Sequence, residues 1–360
     1  MSRWNYFIRR LILVFPILLF GMSIVFLIVR AGPQDPVRAI IGPQANPSEY
    51  HRIAVRLGIE RRVLVNGEPA FVDVPLWQQY IDFMGKLLTF DLGESWVIYP
   101  ATSVYEVIAI RAPQTIWLGF WSVLIALFIG IPLGFYAGLN PNTSGDYLAS
   151  FTGIVWRAMP NFWLAVILMS VLTNSQKLFG FSWQNWLVET TVVRSPNLAF
   201  LANPGMFVRA PGKAFTMLLG ATKQILPAAL VLGSSSMGNE MRIGRTAVLE
   251  TINSNYVETA KAKGLPGRTI VWKHVFRNAL IPLVPIITGE AFLLIGGSVL
   301  VETVFAINGL GKLYFTAAIQ GDLPLIGSLT FIFVLLTLSL NIIQDFLYTI
   351  IDPRVGYEGE

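Results

Sequence analysis

Few residues in this chain could carry covalent chemistry. Cysteine is absent, which removes disulfides, a thiol nucleophile and a thiolate metal site. The two histidines, His51 and His274, are too few for a histidine-rich metal cage. Gly85-Lys86, Gly212-Lys213 and Gly311-Lys312 each lack the upstream Gly and the following Ser or Thr of a phosphate-cradling loop, so no such loop can hold ATP here. Neither H-E-x-x-H nor G-x-S-x-G occurs, and no catalytic residue is expected. What stands out instead is a set of polar residues in or beside apolar runs. Glu290 lies inside one, Ser298 and Glu302 lie towards its end, and Asp345 lies in the last. An ionisable group in lipid is costly and faces a cavity or a partner. Binding, gating or helix-to-helix hydrogen bonding is the chemistry open to such residues. Glu290, Ser298 and Glu302 are candidates for lining a path across the membrane, with anchoring as the alternative for Glu302 and Asp345.

The elements that must position them are membrane helices. The chain has 360 residues, 54% hydrophobic and only 13% charged. Soluble domains carry about 25% charged residues, so a soluble enzyme or a disordered chain is excluded. A helix needs roughly 20 mostly apolar residues to cross the hydrocarbon core. Six stretches qualify: 11–29, 113–139, 147–173 with Arg157 inside, 226–249 with Glu240, Arg242 and Arg245 in its second half, 279–301, and 323–347. The first could pass for a signal peptide, but it is long and no small-residue cleavage site follows it. Gly130, Gly134 and Gly138 are spaced for close helix packing, and Gly296 and Gly297 could serve the same purpose. Arg3, Arg9 and Arg10 precede the first span, a basic cluster from Arg242 to Arg277 joins spans four and five, and Arg354 follows the sixth. The positive-inside rule places all three on the cytoplasmic side. The net charge of +5 then reflects topology and gives no reason to invoke nucleic acid.

The segment joining spans four and five is the richest in pattern. Ser254 to Lys263 reads as a short helix with a polar start. Gly264, Pro266 and Gly267 break it. A second helix begins near Arg268 with a basic, aromatic face of Trp272, Lys273, Phe276 and Arg277, and runs on into span five. By composition alone this is a solvated amphipathic connector.

Its order of residues resembles the permease subunits of binding-protein-dependent ABC importers. Their loop signature, Glu-Ala-Ala then three residues then Gly, is matched by Glu258, Ala260 and Gly264, with Thr259 in place of the middle Ala. Tyr256, Val257, Thr259, Ala260, Ala262, Lys263, Gly264, Leu265 and Pro266, followed by His274, Arg277, Asn278, Ala279 and Pro282, are similar to the dipeptide, oligopeptide and nickel branch. Further matches are Ile8 to Leu13, Asp91 to Ser95, Glu302 to Phe305 with Gly309 to Leu313, and Asp345, Tyr348, Asp352, Pro353 and Arg354. Phe90 and Gly321 stand where the family usually shows Gly and Arg.

The resemblance implies an all-α integral membrane protein with six transmembrane helices. Residues 1–30 are the N-terminus and first helix, 31–112 an extracytoplasmic cap, and 113–360 a five-helix core with an ATPase-docking loop over 250–282. Tyr256, Glu258, Thr259, Ala260, Lys261, Lys263, Gly264 and Leu265 would face the ATP-hydrolysing partner. The implied partners are a second homologous permease, two ATP-binding subunits, an extracytoplasmic solute-binding protein and membrane lipid. ATP and Mg would sit on the partner subunits, and no cofactor or metal on this chain. The implied cargo is short peptides, with nickel chelates or oligosaccharides as alternatives. The rival from another class is an ion-coupled secondary transporter, which leaves the 254–282 pattern unexplained.

Overall fold

A computed structural model describes residues 3–30, 32, 35–42, 46–65, 68–186, 196–290 and 298–351. Gly296, Gly297 and Asp352 to Arg354 lie outside them, as does the side chain of Asp345. The chain divides into two compact units, one of residues 2–111 with 313–338, the other of 112–312 with 339–360.

In the first unit the N-terminal helix Arg3–Arg30 buries Leu18 and Met22 against Met84 and Leu87 of the helix Leu76–Leu88 and against Phe331. Phe26 adds an edge contact to Tyr80 and a tilted one to Phe83, with ring centroids 5.4 and 5.6 Å apart. The helices Pro36–Ile41 and Pro47–Arg56 start on Asp35 and Asn46, whose side chains accept from the first free N–H groups, each with Pro at the first helical position. Val37, Ala54 and Leu57 form a small core of their own. An antiparallel hairpin, Glu60–Val65 with Glu68–Asp73, pairs Glu60 with Asp73. This hairpin departs from the purely helical expectation. The signal was present: Asn66-Gly67 between two short β-prone runs is a strong hairpin cue. Beside the hairpin, the Arg30 guanidinium stacks 5.2 Å from the Trp96 ring and donates to the Leu57 carbonyl at 2.7 Å. Burial pulls it down to about 10.

The second unit is built on the 42-residue helix Pro211–Ile252. Among the described residues four helices are long and apolar enough to cross a membrane: 104–139, Pro211–Ile252, 267–290 and 323–344. The pair Ser144–Ala158 and Asn161–Thr173 passes together but bends by 100° at Met159-Pro160, and Ile12–Ile28 is a shorter apolar helix. The expected third span is therefore broken, since Pro160 disfavours a helical Met159 and removes a helical N–H. The fifth begins at Gly267, earlier than the expected Ala279, because the basic segment winds continuously into it. The glycine stripe packs as its spacing suggests. A Cβ on Gly134 would lie 2.5 Å from the Met241 carbonyl oxygen, and one on Gly138 would lie 2.7 Å from Val248. Both approach the long helix at backbone distance.

Candidate functional site

The segment after the long helix forms the expected helix, turn and second helix. Asn255–Ala262 is helical, with Lys263 as its last half-turn. Gly264 follows with φ 73°, the left-handed conformation that favours glycine. The Leu265 N–H donates to the Ala260 carbonyl at 3.2 Å and the Gly264 N–H to Lys261 at 2.9 Å. This pair of bonds is a Schellman termination, which caps the last carbonyls and turns the chain sharply. Pro266 then opens the next helix, Gly267–Thr269, which continues through a π-helical stretch Ile270–Phe276.

Only two residues of the short helix are buried, Val257 and Ala260, one turn apart. They pack with Phe135, Ala247, Val248, Ile270 and Val275. Tyr256, Glu258, Thr259, Lys261, Lys263, Gly264 and Leu265 are exposed. Seven of the eight candidate docking residues thus form one free surface, and the eighth, Ala260, fixes the helix to its own subunit. Trp272 is 60% exposed and stands 5.0 Å from Phe276, extending that surface with an aromatic ring. Glu258, Lys261 and Lys263 give it charges of both signs, suited to pairing with a protein.

The candidate path residues separate into different roles. Glu302 is fully buried and its oxygens are occupied: Oε1 accepts from Thr115 at 2.9 Å and Oε2 from the Lys312 N–H at 2.8 Å. The Leu310 N–H donates to the same Thr115 hydroxyl at 2.7 Å. Glu302 therefore ties the start of the helix Leu310–Gln320 to the helix Val104–Ile125, as an anchor. Ser298 caps the helix Val299–Val304 through its hydroxyl, which accepts from Val301 at 3.4 Å. Glu290 is different. It is half-buried within this subunit, and its Oε2 is buried without a hydrogen-bond partner.

Sequence reasoning placed Arg157 in the third apolar run and Glu240 and Arg245 in the fourth but gave them no partners. Glu240 is fully buried, and neither of its oxygens has a hydrogen-bond partner. Arg157, which is exposed, donates to Asn239 at 3.2 Å. Arg245 grips Asp146 bidentately at 2.5 and 2.8 Å, linking the helix Ser144–Ala158 to the long helix. This ion pair explains how the long helix carries Arg245 within an apolar setting. In the first unit Asp322 is buried and accepts from the Ser95 hydroxyl at 2.6 Å and from the N–H groups of Trp96, Val97 and Ile98. The only sequence cue to these partners was their type, charged or hydroxylic in an apolar run. Among the described residues no group of three or more His, Cys, Asp and Glu could hold a metal ion.

Two family models cover nearly the whole chain. Residues 130–357 match the binding-protein-dependent transport system inner membrane component, and residues 3–119 match the N-terminal membrane component of the same systems. Full-length relatives agree. An oligopeptide transport system permease protein of Bacillus subtilis is 33% identical over 353 residues, covering 98% of this chain and 99% of its own. A dipeptide transport system permease protein of Alkalihalophilus pseudofirmus is 31% identical over 355 residues, again covering 98% and 99%. A dipeptide permease of Escherichia coli K12 is 26% identical over 362 residues with the same coverage.

Proposed function

The chain belongs to the binding-protein-dependent transport system inner membrane component family, and on that premise we propose that it is one permease subunit of an ATP-driven importer of short peptides. With a second, homologous permease it forms the translocation path. Two ATP-binding subunits dock on the cytoplasmic loops, one on each permease, and hold the ATP and Mg. A solute-binding protein delivers cargo from outside. This chain makes no bond and breaks none, so it is not itself an enzyme. The names of the relatives, oligopeptide and dipeptide permeases, favour peptides over nickel chelates or oligosaccharides.

The observation that carries this reading is the exposed helix 255–262 ended by Gly264. A short helix anchored by Val257 and Ala260, with a rigid turn behind it, moves as a body when a partner pushes it. The second helix of the motif is continuous with the span 267–290, so a displacement at the surface reaches the membrane helices directly. An ion-coupled carrier has no use for such a surface.

We further infer six crossings, taking the N-terminal helix as the first and the bent pair as the third. Both termini and the docking loop then lie in the cytoplasm of a prokaryotic cell, and residues 31–112 form an outward cap that touches the binding protein. The test is transport by the purified complex in vesicles. Peptide uptake should stop when the ATPase subunits lose their catalytic carboxylate, and a proton gradient alone should not restore it. Gradient-driven uptake by this chain without ATPase subunits would overturn the proposal.

A further inference from the structure

Three arginines of the second unit line one groove. It holds about 230 Å³ and lies between the helices 104–139, Ser144–Ala158 and Pro211–Ile252. Gly153 and Arg157 are four residues apart, as are Gly238 and Arg242, so each arginine follows a glycine by one turn on its own helix. The glycines let the two backbones touch. A Cβ on Gly238 would run into the Gly153 carbonyl oxygen and lie 3.3 Å from the Arg157 Cβ. Gly134 and Ala137 close the groove from the third helix. Its floor is thus small and apolar, with Arg157, Arg242 and Arg245 set around it.

The charges do not cancel. Asp146 takes Arg245 through both oxygens and also accepts from the Asn142 N–H at 3.0 Å and the Ser150 hydroxyl at 3.3 Å. It is buried and saturated, so it offers nothing to the other two arginines. Among the described residues no acidic side chain lines the groove. Arg157 has a neutral partner in the Asn239 amide oxygen, and Arg242 is exposed with no side-chain partner among the described residues. Two guanidiniums are therefore left over beside an apolar cleft. The helix Ser144–Ala158 also exposes Tyr147, Leu148, Phe151 and Ile154, at 63–65% each. Ile154 belongs both to this strip and to the groove, so an apolar surface runs out from the arginines. A water-soluble anion has use for the arginines alone. An amphiphile with an anionic head and an apolar tail has use for both, and a guanidinium matches a phosphate in geometry as well as charge.

The groove adjoins the docking loop. Phe135, next to Gly134, packs with Val257 and Ala260 of the docking helix, as do Ala247 and Val248, just beyond Thr246 of the groove. We propose that Arg157 and Arg242, with Arg245 held by Asp146, bind the phosphate of an anionic phospholipid whose chain lies along the Ile154 strip. The choice of the inner leaflet rests on the cytoplasmic placement of the docking loop, and basic pockets between membrane helices on that side suit anionic headgroups. An occupied groove braces the helices on which the docking helix sits, so anionic lipid favours coupling.

The test uses the complete importer in discs of phosphatidylcholine with increasing phosphatidylglycerol. A trace of phosphatidylglycerol with a photoreactive group beside its phosphate labels the site, and peptide mapping locates the label. Wild type should be labelled within 134–157 or 238–246, with competition by phosphatidylglycerol and not by phosphatidylcholine. ATP hydrolysis stimulated by the binding protein should rise over the same range of phosphatidylglycerol. Each guanidinium lost should weaken apparent affinity about fivefold, and Arg157→Gln with Arg242→Gln about 25-fold. Arg157→Lys with Arg242→Lys should keep most of it, since an ammonium still binds phosphate as a point charge. Wild-type affinity in the double Gln variant overturns the site. If that variant fails to assemble, the wild type decides. A groove left unlabelled because the second permease covers it overturns the proposal, and competition by inorganic phosphate as strong as by the lipid overturns the lipid assignment. Labelling of the groove with hydrolysis indifferent to phosphatidylglycerol overturns the bracing role. Both leaflets of the disc carry the lipid, so labelling is independent of how the chain crosses the membrane, and maleimide access at Lys263→Cys reads the sidedness separately.

Discussion

Asp322 accepts hydrogen bonds from one hydroxyl and from three consecutive N–H groups of the loop 95–98. Those N–H groups would otherwise be buried or left to water, so the carboxylate fixes the whole loop. Replacing Asp322 with Ala should lower stability by about 2–4 kcal/mol, since several charge-assisted bonds are lost together and their donors are stranded. Thermal unfolding of the detergent-solubilised subunit reads this, and an unchanged midpoint would refute the role. Gly264 works through the backbone alone. A β-branched residue at its φ of 73° is strained by roughly 1–2 kcal/mol, enough to unwind the Schellman turn. Gly264→Val should leave the chain inserted in the membrane while lowering coupled ATP hydrolysis and transport by about tenfold, the factor that 1.4 kcal/mol gives. Wild-type coupling in Gly264→Val would show that the turn is dispensable.

Helix packing governs the next scale. Gly134 meets the backbone of Met241, so a side chain there must push two spans apart. Gly134→Leu should destabilise by at least about 1–3 kcal/mol, the usual cost of overpacking. Gly220 lies on the same long helix with open space around it, and Gly220→Ala should instead gain about 0.5–1 kcal/mol from helix propensity. The contrast between the two in one unfolding series distinguishes close packing from a general intolerance of substitution. The glycine stripe of the second span was legible in sequence because its four-residue period is a local property. Its partner was not, since nothing in residues 130–138 specifies that Met237, Met241 and Val248 will lie opposite. The bend at Pro160 is a further case. Proline announces a break, but its 100° angle comes from what each half packs against.

For the molecule as a whole, orientation is open to a direct test because no native cysteine interferes. A single Lys263→Cys should react with an impermeant maleimide in inside-out vesicles and stay protected in intact cells. Lys86→Cys should show the opposite pattern. Labelling of both from one side would overturn the six-crossing topology. The sequence by itself determined the class of the protein, its basic loop and the helix-turn-helix that turns at Gly264. These follow from composition, hydrophobic length and local backbone preference, which act over a few residues and need no partner. Only the tertiary structure decided the fate of the intramembrane polar groups. Glu290, Ser298 and Glu302 read alike in sequence as path candidates, yet Glu302 is saturated by Thr115 and backbone donors, Ser298 caps a helix, and Glu290 alone retains an unpartnered buried oxygen. The reason is physical. The cost of a buried charge depends on which donors and countercharges surround it, and those arrive from residues up to 187 positions away.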